Sequence, residues 1–188
     1  MIILRESAES DVLFVAKCVM AAAGIATLES IENGGHDKTL GTMAELCGSE
    51  WSLYWYRLAI IAEDTETGRP AGCILAYDGA RYAKARELTF SYAEERLGIS
   101  MASCGVETVP GEYYLDTMAI LPEYRGMNIG LKLMEAAVER GMKAGLKRFT
   151  LIADKNAPRL RAYYGSIGFK EAEEVDFLGH PYIRMVRQ

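Results

Sequence analysis

Short apolar runs, separated by turn-forming residues, predict seven strands along this chain. They cover residues 2–4, 58–62, 71–76, 113–120, 149–153, 175–178 and 182–186. Acidic residues, glycine and proline separate the second run from the third, so these two are expected to form an antiparallel hairpin. The run over 113–120 is apolar on both faces apart from Asp116 and Thr117, which is typical of a central strand.

Apolar residues recur at helical spacing over residues 129–144, with charged residues on the opposite face. Further helices are predicted over the apolar stretch 12–28 and over 84–97, and the stretch 38–55 looks helical in pieces. Another helix begins at Asn156, tolerates Pro158 in its first turn and ends at Gly168. We therefore expect one mixed α/β (α+β) domain over residues 1–188, with about seven strands and about four helices.

Composition and charge narrow the classes of function. The 188 residues include 21 basic and 26 acidic side chains, so the net charge is −5. This acidic balance argues against a protein that binds nucleic acid or an anionic membrane through its overall charge. The charged residues before the 12–28 stretch are Glu6, Glu9 and Asp11 against one Arg5, and such an acidic flank fits neither a secretory signal nor a membrane span. A cytoplasmic protein is expected.

Cysteine and histidine are sparse and scattered. No C-x-x-C pair occurs among Cys18, Cys47, Cys73 and Cys104, so a zinc ribbon or a redox dithiol is disfavoured and reduced thiols are expected. We expect no metal cofactor. His36 and His180 lie in loop-like segments, and we assign neither of them a role.

The loop between the central strand and the clearest helix has the chemistry of an anion site. Gly126 and Gly130 let the main chain approach a ligand closely, Asn128 tolerates a positive φ, and Arg125 adds a positive charge. Free N–H groups at the helix start favour a phosphate there. The loop lacks the Gly-Lys-Ser/Thr ending of a Walker loop and the Gly-x-Gly-x-x-Gly dinucleotide pattern. A purely structural role, in which the glycines only permit tight packing of strand and helix, is the alternative.

This loop resembles motif A of the GNAT superfamily of N-acetyltransferases, Arg/Gln-x-x-Gly-x-Gly/Ala, through Arg125, Asn128 and Gly130. Asn128 replaces the usual glycine, but its backbone N–H is kept. A second block, residues 156–169, is similar to the family's motif B, in which an Asn opens a helix ending in Tyr-x-x-x-Gly-Phe, with Tyr164 at the tyrosine position. The resemblance covers about residues 112–170 and implies a GNAT-like, mostly antiparallel sheet whose fourth and fifth strands splay apart.

The resemblance assigns site residues to the cofactor and to the chemistry. Tyr164 is the implied proton donor to the leaving thiolate, with Tyr163 as the adjacent competitor. Asp116 is our candidate base, because a carboxylate in an apolar strand is costly unless it is paired or functional; pairing with its neighbours is the alternative, and Glu112 shares its face by parity. Asn156 is either a cofactor ligand or a plain helix N-cap. The cofactor-binding positions expected are Met118, Ala119, Ile120, Arg125, Gly126, Met127, Asn128, Ile129, Gly130, Leu131, Asn156 and Tyr163.

The implied activity is acetyl-CoA-dependent N-acetylation of a primary amine, on a small molecule or a peptide, by direct attack in a ternary complex. The acidic excess of the first half of the chain mildly favours a cationic acceptor. A noncatalytic acyl-CoA-binding sensor and a nucleotide-binding α/β domain are the alternatives. We expect no nucleic-acid or membrane partner, and a homodimer is left open.

Overall fold

The computed structural model describes residues 1–34, 36–98, 100, 104–177 and 179–188. Its seven strands are β1 (Ile2–Glu6), β2 (Ala59–Asp64), β3 (Arg69–Asp78), β4 (Tyr113–Ile120), β5 (Phe149–Asp154), β6 (Lys170–Phe177) and β7 (His180–Arg187). The α-helices of the described residues are α1 (Val12–Ala22), α2 (Leu28–Glu32), α3 (Asp37–Gly48), α4 (Tyr82–Leu97), α5 (Ile129–Lys143) and α6 (Pro158–Ser166). The chain divides into two compact units, each made of two segments.

The first unit comprises Met1–Ala76 and Thr117–Arg140. In it β1 pairs antiparallel with β2 and β2 pairs antiparallel with β3, with a register shift between Ala62 and Glu63. The end of β4 lies beside β3, and the N–H of Leu121 donates to the carbonyl of Ala71 at 2.9 Å. Helix α1 buries one face, including Val15 and Met20, and packs against α3. Apolar burial of this kind is what stabilises a short amphipathic helix in a protein.

The second unit comprises Tyr77–Asp116 and Gly141–Gln188. In it β4 and β5 run parallel, β5 pairs antiparallel with β7, and β7 pairs antiparallel with β6. Strand β6 is the edge strand, and its acidic residues Glu171, Glu173, Glu174 and Asp176 are exposed. At one position the N–H of Gly105 covers this edge, donating to the carbonyl of Asp176 at 2.8 Å. Helix α6 packs against β5 and β6.

The expected fold class is confirmed: a mixed, mostly antiparallel sheet of seven strands is present, and β4 has the predicted bounds. The parallel register joins Tyr113 to Phe149 and Tyr114 to Thr150, at the amino-terminal ends of both strands. Because the far end of β4 belongs to the first unit and β5 to the second, the splay of these strands stays a prediction. The single domain over residues 1–188 also stays a prediction.

Several helix predictions are wrong in their bounds or number. Six α-helices occur among the described residues where about four were expected. The predicted helix over 12–28 ends at Ala22, because Gly24 takes a left-handed φ of 69°, and α2 starts after Thr27, whose side chain caps it. Asn156 does not begin the last helix, which starts at Pro158. The last residue predicted for the sixth strand, Leu178, lies outside the described residues.

The four cysteines are buried free thiols. No helix in the described part of the chain combines the length and the apolar character that crossing a membrane requires.

Candidate functional site

The loop from β4 to α5 has the backbone expected of an anion cradle. Gly126 has a φ of 81° and Asn128 a φ of 57°, and among the described residues Asn128 is the only one other than glycine with a positive φ. The carbonyl of Asn128 accepts the first helical hydrogen bond, from the N–H of Lys132 at 3.2 Å. The preceding N–H groups at the start of α5 therefore have no acceptor within the helix, and the helix dipole adds positive potential there.

Exposure along this loop changes abruptly where the helix begins. Residues 125–128 are exposed, whereas Ile129 and Gly130 are buried under the first turn of α5. The main chain and the Arg125 guanidinium are thus open to a ligand while the helix start is held firmly by packing. Tight packing, which the purely structural alternative requires, and an accessible backbone, which the anion cradle requires, are therefore both present in residues 125–130.

The end of β4 adjoins a pocket of about 600 Å³ in the first unit. The predicted residues Met118, Ala119 and Ile120 line it together with Arg125, and the rest of its lining comes from the end of α1 and the connection to α2. Gly72 of β3 backs this strand so closely that a Cβ there would lie 2.8 Å from the Ala119 carbonyl oxygen. The pocket and the cradle therefore share Arg125 and belong to one unit.

Helix α6 carries the two predicted tyrosines in the second unit. Tyr164 is half-buried, and its ring lies 6.3 Å from that of Phe169 and 5.6 Å from that of Tyr163, measured between centroids. Burial, with a smaller contribution from Tyr163, raises the pKa of Tyr164 to about 12. The phenol is consequently protonated at neutral pH, as a proton donor must be.

Asn156 lies in the turn before α6 and is not the helix N-cap, which is Ala157. Its backbone N–H donates to Asp154 Oδ1 at 2.7 Å, and the same carboxylate oxygen lies 2.9 Å from His180 Nε2. The N-cap alternative for Asn156 is therefore wrong, because Pro158 places the first helical residue two positions later. The Asn156 side chain is exposed, and its role toward a cofactor stays a prediction.

Asp116 lies half-buried in β4 and accepts a hydrogen bond from the Tyr77 hydroxyl at 2.7 Å. This phenol is one partner that sequence reasoning did not name, since neighbouring backbone or a basic side chain was the alternative considered. A carboxylate has more than one acceptor site, and the role of Asp116 as a base stays a prediction.

Glu112, the other carboxylate on the predicted face, is held in ion pairs. Arg184 Nη2 donates to its Oε1, and Arg148 Nε donates to the same atom at 2.9 Å. Burial raises the pKa of Glu112, but the hydrogen bonds and charges of these arginines outweigh it, so its pKa lies below the ordinary value. Glu112 is a charged structural residue and a poor proton acceptor.

A third carboxylate, Glu107, was missed. It is only 6% exposed, accepts from the Tyr114 hydroxyl at 2.6 Å and from the Tyr82 hydroxyl at 3.0 Å. Burial and the charge of Asp116 raise its pKa to about 8. No sequence pattern pointed to it, because it lies in a loop where periodicity carries no information.

The predicted residues thus fall into two groups. The first unit holds the β4 end and the cradle, and the second holds Asp116, Asn156, Tyr163 and Tyr164. No set of three or more His, Cys, Asp or Glu side chains is arranged to bind a metal within the residues the structure describes.

Comparisons with known proteins agree with this architecture. The model of the acetyltransferase (GNAT) family matches residues 32–169. A crystal structure of an acetyltransferase is 25% identical with a TM-score of 0.77, covering 99% of this chain and 98% of that one. No protein of curated function matches the chain.

Two further solved structures share the fold at lower identity. The N-acetyltransferase from Staphylococcus aureus Mu50 is 24% identical with a TM-score of 0.77, covering 98% of this chain and 99% of that one. The PaiA N-acetyltransferase from Thermoplasma acidophilum, solved in complex with coenzyme A, is 19% identical with a TM-score of 0.58, covering 100% and 99%.

Proposed function

Because the chain belongs to the acetyltransferase (GNAT) family, we propose that it transfers the acetyl group of acetyl-CoA to a primary amine of a small molecule or a peptide. The observation that supports this most is the left-handed backbone at Gly126 and Asn128, which leads into α5 beside the pocket at the end of β4.

The cradle suits the diphosphate of the proposed cosubstrate. The N–H groups over residues 126–131 and the exposed Arg125 guanidinium supply donors and positive charge, while two left-handed residues turn the main chain outward. The main chain of Met118, Ala119 and Ile120 is assigned to the pantetheine arm and the thioester. This assignment accounts for the cofactor half of the reaction.

The reaction is a direct acyl transfer. The amine nitrogen attacks the thioester carbonyl, the C–N bond forms, and the negative charge moves to the carbonyl oxygen. We assign the stabilisation of that oxyanion to the N–H of Ala119 or Ile120; removal of such a donor typically lowers the rate by about 10²–10³. The C–S bond then breaks as the oxyanion collapses.

Two proton transfers accompany these steps. The leaving thiolate takes a proton, and we assign its donor to Tyr164, whose pKa of about 12 keeps the hydroxyl protonated at neutral pH. The attacking amine loses a proton, and we assign its acceptor to Asp116. Glu112 is set aside because its arginine partners hold it as a carboxylate of low basicity.

A pair of matched glycine variants tests the cradle. Gly126 and Gly68 both have positive φ and open space where a Cβ would stand, so Gly126→Ala and Gly68→Ala pay a similar backbone strain of about 1–2 kcal/mol. Only Gly126→Ala should weaken coenzyme A binding, by about tenfold in a calorimetric titration. Equal affinities in the two variants would remove the cradle assignment.

A thermal-shift assay and a thiol-release assay then test the reaction. Acetyl-CoA should raise the melting temperature while NAD and ATP should not, and free thiol should appear when amines are added. Binding of acetyl-CoA without thiol release across a broad amine panel would instead support the noncatalytic sensor.

A further inference from the structure

The pocket at the end of β4 has a second wall that no step above uses. It is formed by the last residues of α1 and the connection into α2, namely Ala21, Ala22, Gly24, Ala26, Thr27 and Leu28. The pocket volume of about 600 Å³ far exceeds an acetyl group, so this wall faces whatever approaches the proposed thioester.

The side chains of this wall are small and almost wholly apolar. Leu28 is buried at 6% exposure, and alanine or glycine occupies four of the six positions. Thr27 has the only hydroxyl, and that oxygen already accepts from the N–H of Ser30 at 3.1 Å as the cap of α2. The wall therefore offers an apolar surface with its polar side-chain atom engaged.

The charge that lines the pocket is of one sign. Among the described residues that line it, Arg125 is the only charged one, and no carboxylate is present. The pocket is open to solvent at Ala22, Gly24 and Thr27, so a charged group would keep part of its hydration there but would gain no opposite charge from the α1–α2 wall, whereas an apolar group would release water on contact with it. The base assigned to the reacting amine, Asp116, is not among the described lining residues, and a carboxylate on the acceptor would have to compete with phosphate for Arg125.

The carboxyl end of α1 offers little to a cation. The carbonyls of Val19, Met20 and Ala21 already accept from the following turn, at 2.9 to 3.3 Å. The residual partial negative charge of a helix end is worth about 0.3–1 kcal/mol to a cation. An additional ammonium on the acceptor would therefore gain little from this wall.

We propose that the acceptor is a primary amine whose remaining part is uncharged and apolar, bound against the alanine-rich wall at residues 21–28. This inference rests on the proposed function and names the substrate class of the same site. It runs against the cationic acceptor that the acidic excess of the first half favoured, because no acidic residue of that half is among the described residues that line the pocket.

Three amines of matched length test the proposal: hexylamine, 1,5-diaminopentane and 6-aminohexanoate each carry five methylenes and differ only in a terminal methyl, ammonium or carboxylate. With acetyl-CoA saturating, kcat/KM for thiol release should be at least about tenfold higher for hexylamine than for either charged analogue. A preference for the diamine or the amino acid would overturn the proposal.

A carboxylate placed on this wall should weaken the preference for hexylamine over the diamine. Ala22 is exposed at the last position of α1, and Ala144 is exposed just after α5, so Ala22→Asp and Ala144→Asp both add a carboxylate at a helix carboxyl end with similar dipole cost. Ala22→Asp should raise the diamine-to-hexylamine ratio of kcat/KM by about tenfold, and Ala144→Asp should leave it unchanged. An unmoved ratio in Ala22→Asp would contradict the assignment of this wall.

The assay separates this inference from the proposed function. Thiol release with charged acceptors but not with hexylamine would overturn only the substrate class. Absence of release with every amine of a wider panel, with acetyl-CoA binding intact, would overturn the transferase function and the substrate class together.

Discussion

The free energy of unfolding of the Glu107→Gln variant minus that of wild type is expected to be larger at neutral pH than at acidic pH. Glu107 is buried between the hydroxyls of Tyr82 and Tyr114, and burial together with the charge of Asp116 raises its pKa from 4.5 to about 8. Between those two pH values the unfolded chain has released this proton while the folded chain retains it. The free energy of unfolding of wild type therefore falls as pH rises through this window.

The size of the effect follows from the two pKa values. Each pH unit in which only the folded state holds the proton lowers the free energy of unfolding by about 1.4 kcal/mol. Because the unfolded glutamic acid is already partly ionised at pH 5, the loss from pH 5 to pH 7 is about 2.5 kcal/mol, and the loss counted from pH 5 levels off above pH 8 near about 4 kcal/mol. Glutamine presents a carbonyl acceptor and an NH2 group with two donors, where the protonated acid has its carbonyl and one O–H donor, and glutamine does not titrate.

Urea unfolding of both proteins at pH 5 and pH 7 measures this directly. The stability of Glu107→Gln minus that of wild type should increase by about 2.5 kcal/mol between the two pH values, since titrations shared by both proteins cancel. A difference that stays constant with pH would show that Glu107 is ionised normally in the folded protein, and it would refute the reasoning.

Four other variants follow from the same structure. Glu112→Gln should lower the free energy of unfolding by about 1.5–3 kcal/mol at pH 7, because buried Arg184 loses a charge-assisted hydrogen bond while it keeps its pair with Glu173, and the more exposed Arg148 loses its contact with Glu112. Urea unfolding should show this loss shrinking as pH falls below the ordinary glutamate pKa, since a lowered pKa stabilises only above that range. Gly72→Ala should disturb β4 at Ala119 and so lower both the free energy of unfolding and kcat. Gly41→Ala, inside α3 with open space around it, should instead raise the free energy of unfolding by about 0.5–1 kcal/mol in the same assay. Tyr164→Phe should lower kcat by about 10² with the KM for acetyl-CoA unchanged, and a kcat equal to wild type in steady-state kinetics would remove its assignment as proton donor.

The sequence predicted best where burial leaves a regular pattern. Strand β4 is apolar on both faces and α5 is amphipathic, so β4 was found at its bounds and α5 within one residue of them. The break between α1 and α2 was missed because an alanine-rich run continues past Ala22, and only the left-handed Gly24 ends the helix.

The candidate site was predictable only in part. The cradle has a local motif, so Gly126 and Asn128 could be named from their neighbours alone. The environments of Glu107 and Glu112 could not, since their partners come from elements far apart in sequence, such as Tyr82 for the first and Arg184 for the second. A loop has no hydrophobic periodicity, so the sequence does not indicate what a carboxylate in it contacts. Only the folded structure shows whether its partner is an arginine or a phenol.

The row of carboxylates on β6 bears on how copies of the protein behave in concentrated solution. An open strand edge can pair with the same edge of another molecule. On β6 each of the three glutamates is already held in an ion pair, Glu171 by Arg161, Glu173 by Arg184 and Glu174 by Lys155. A second copy that paired with this strand would have to remove these half-exposed charges from water, and the desolvation of ion pairs is costly. This edge should therefore resist self-association.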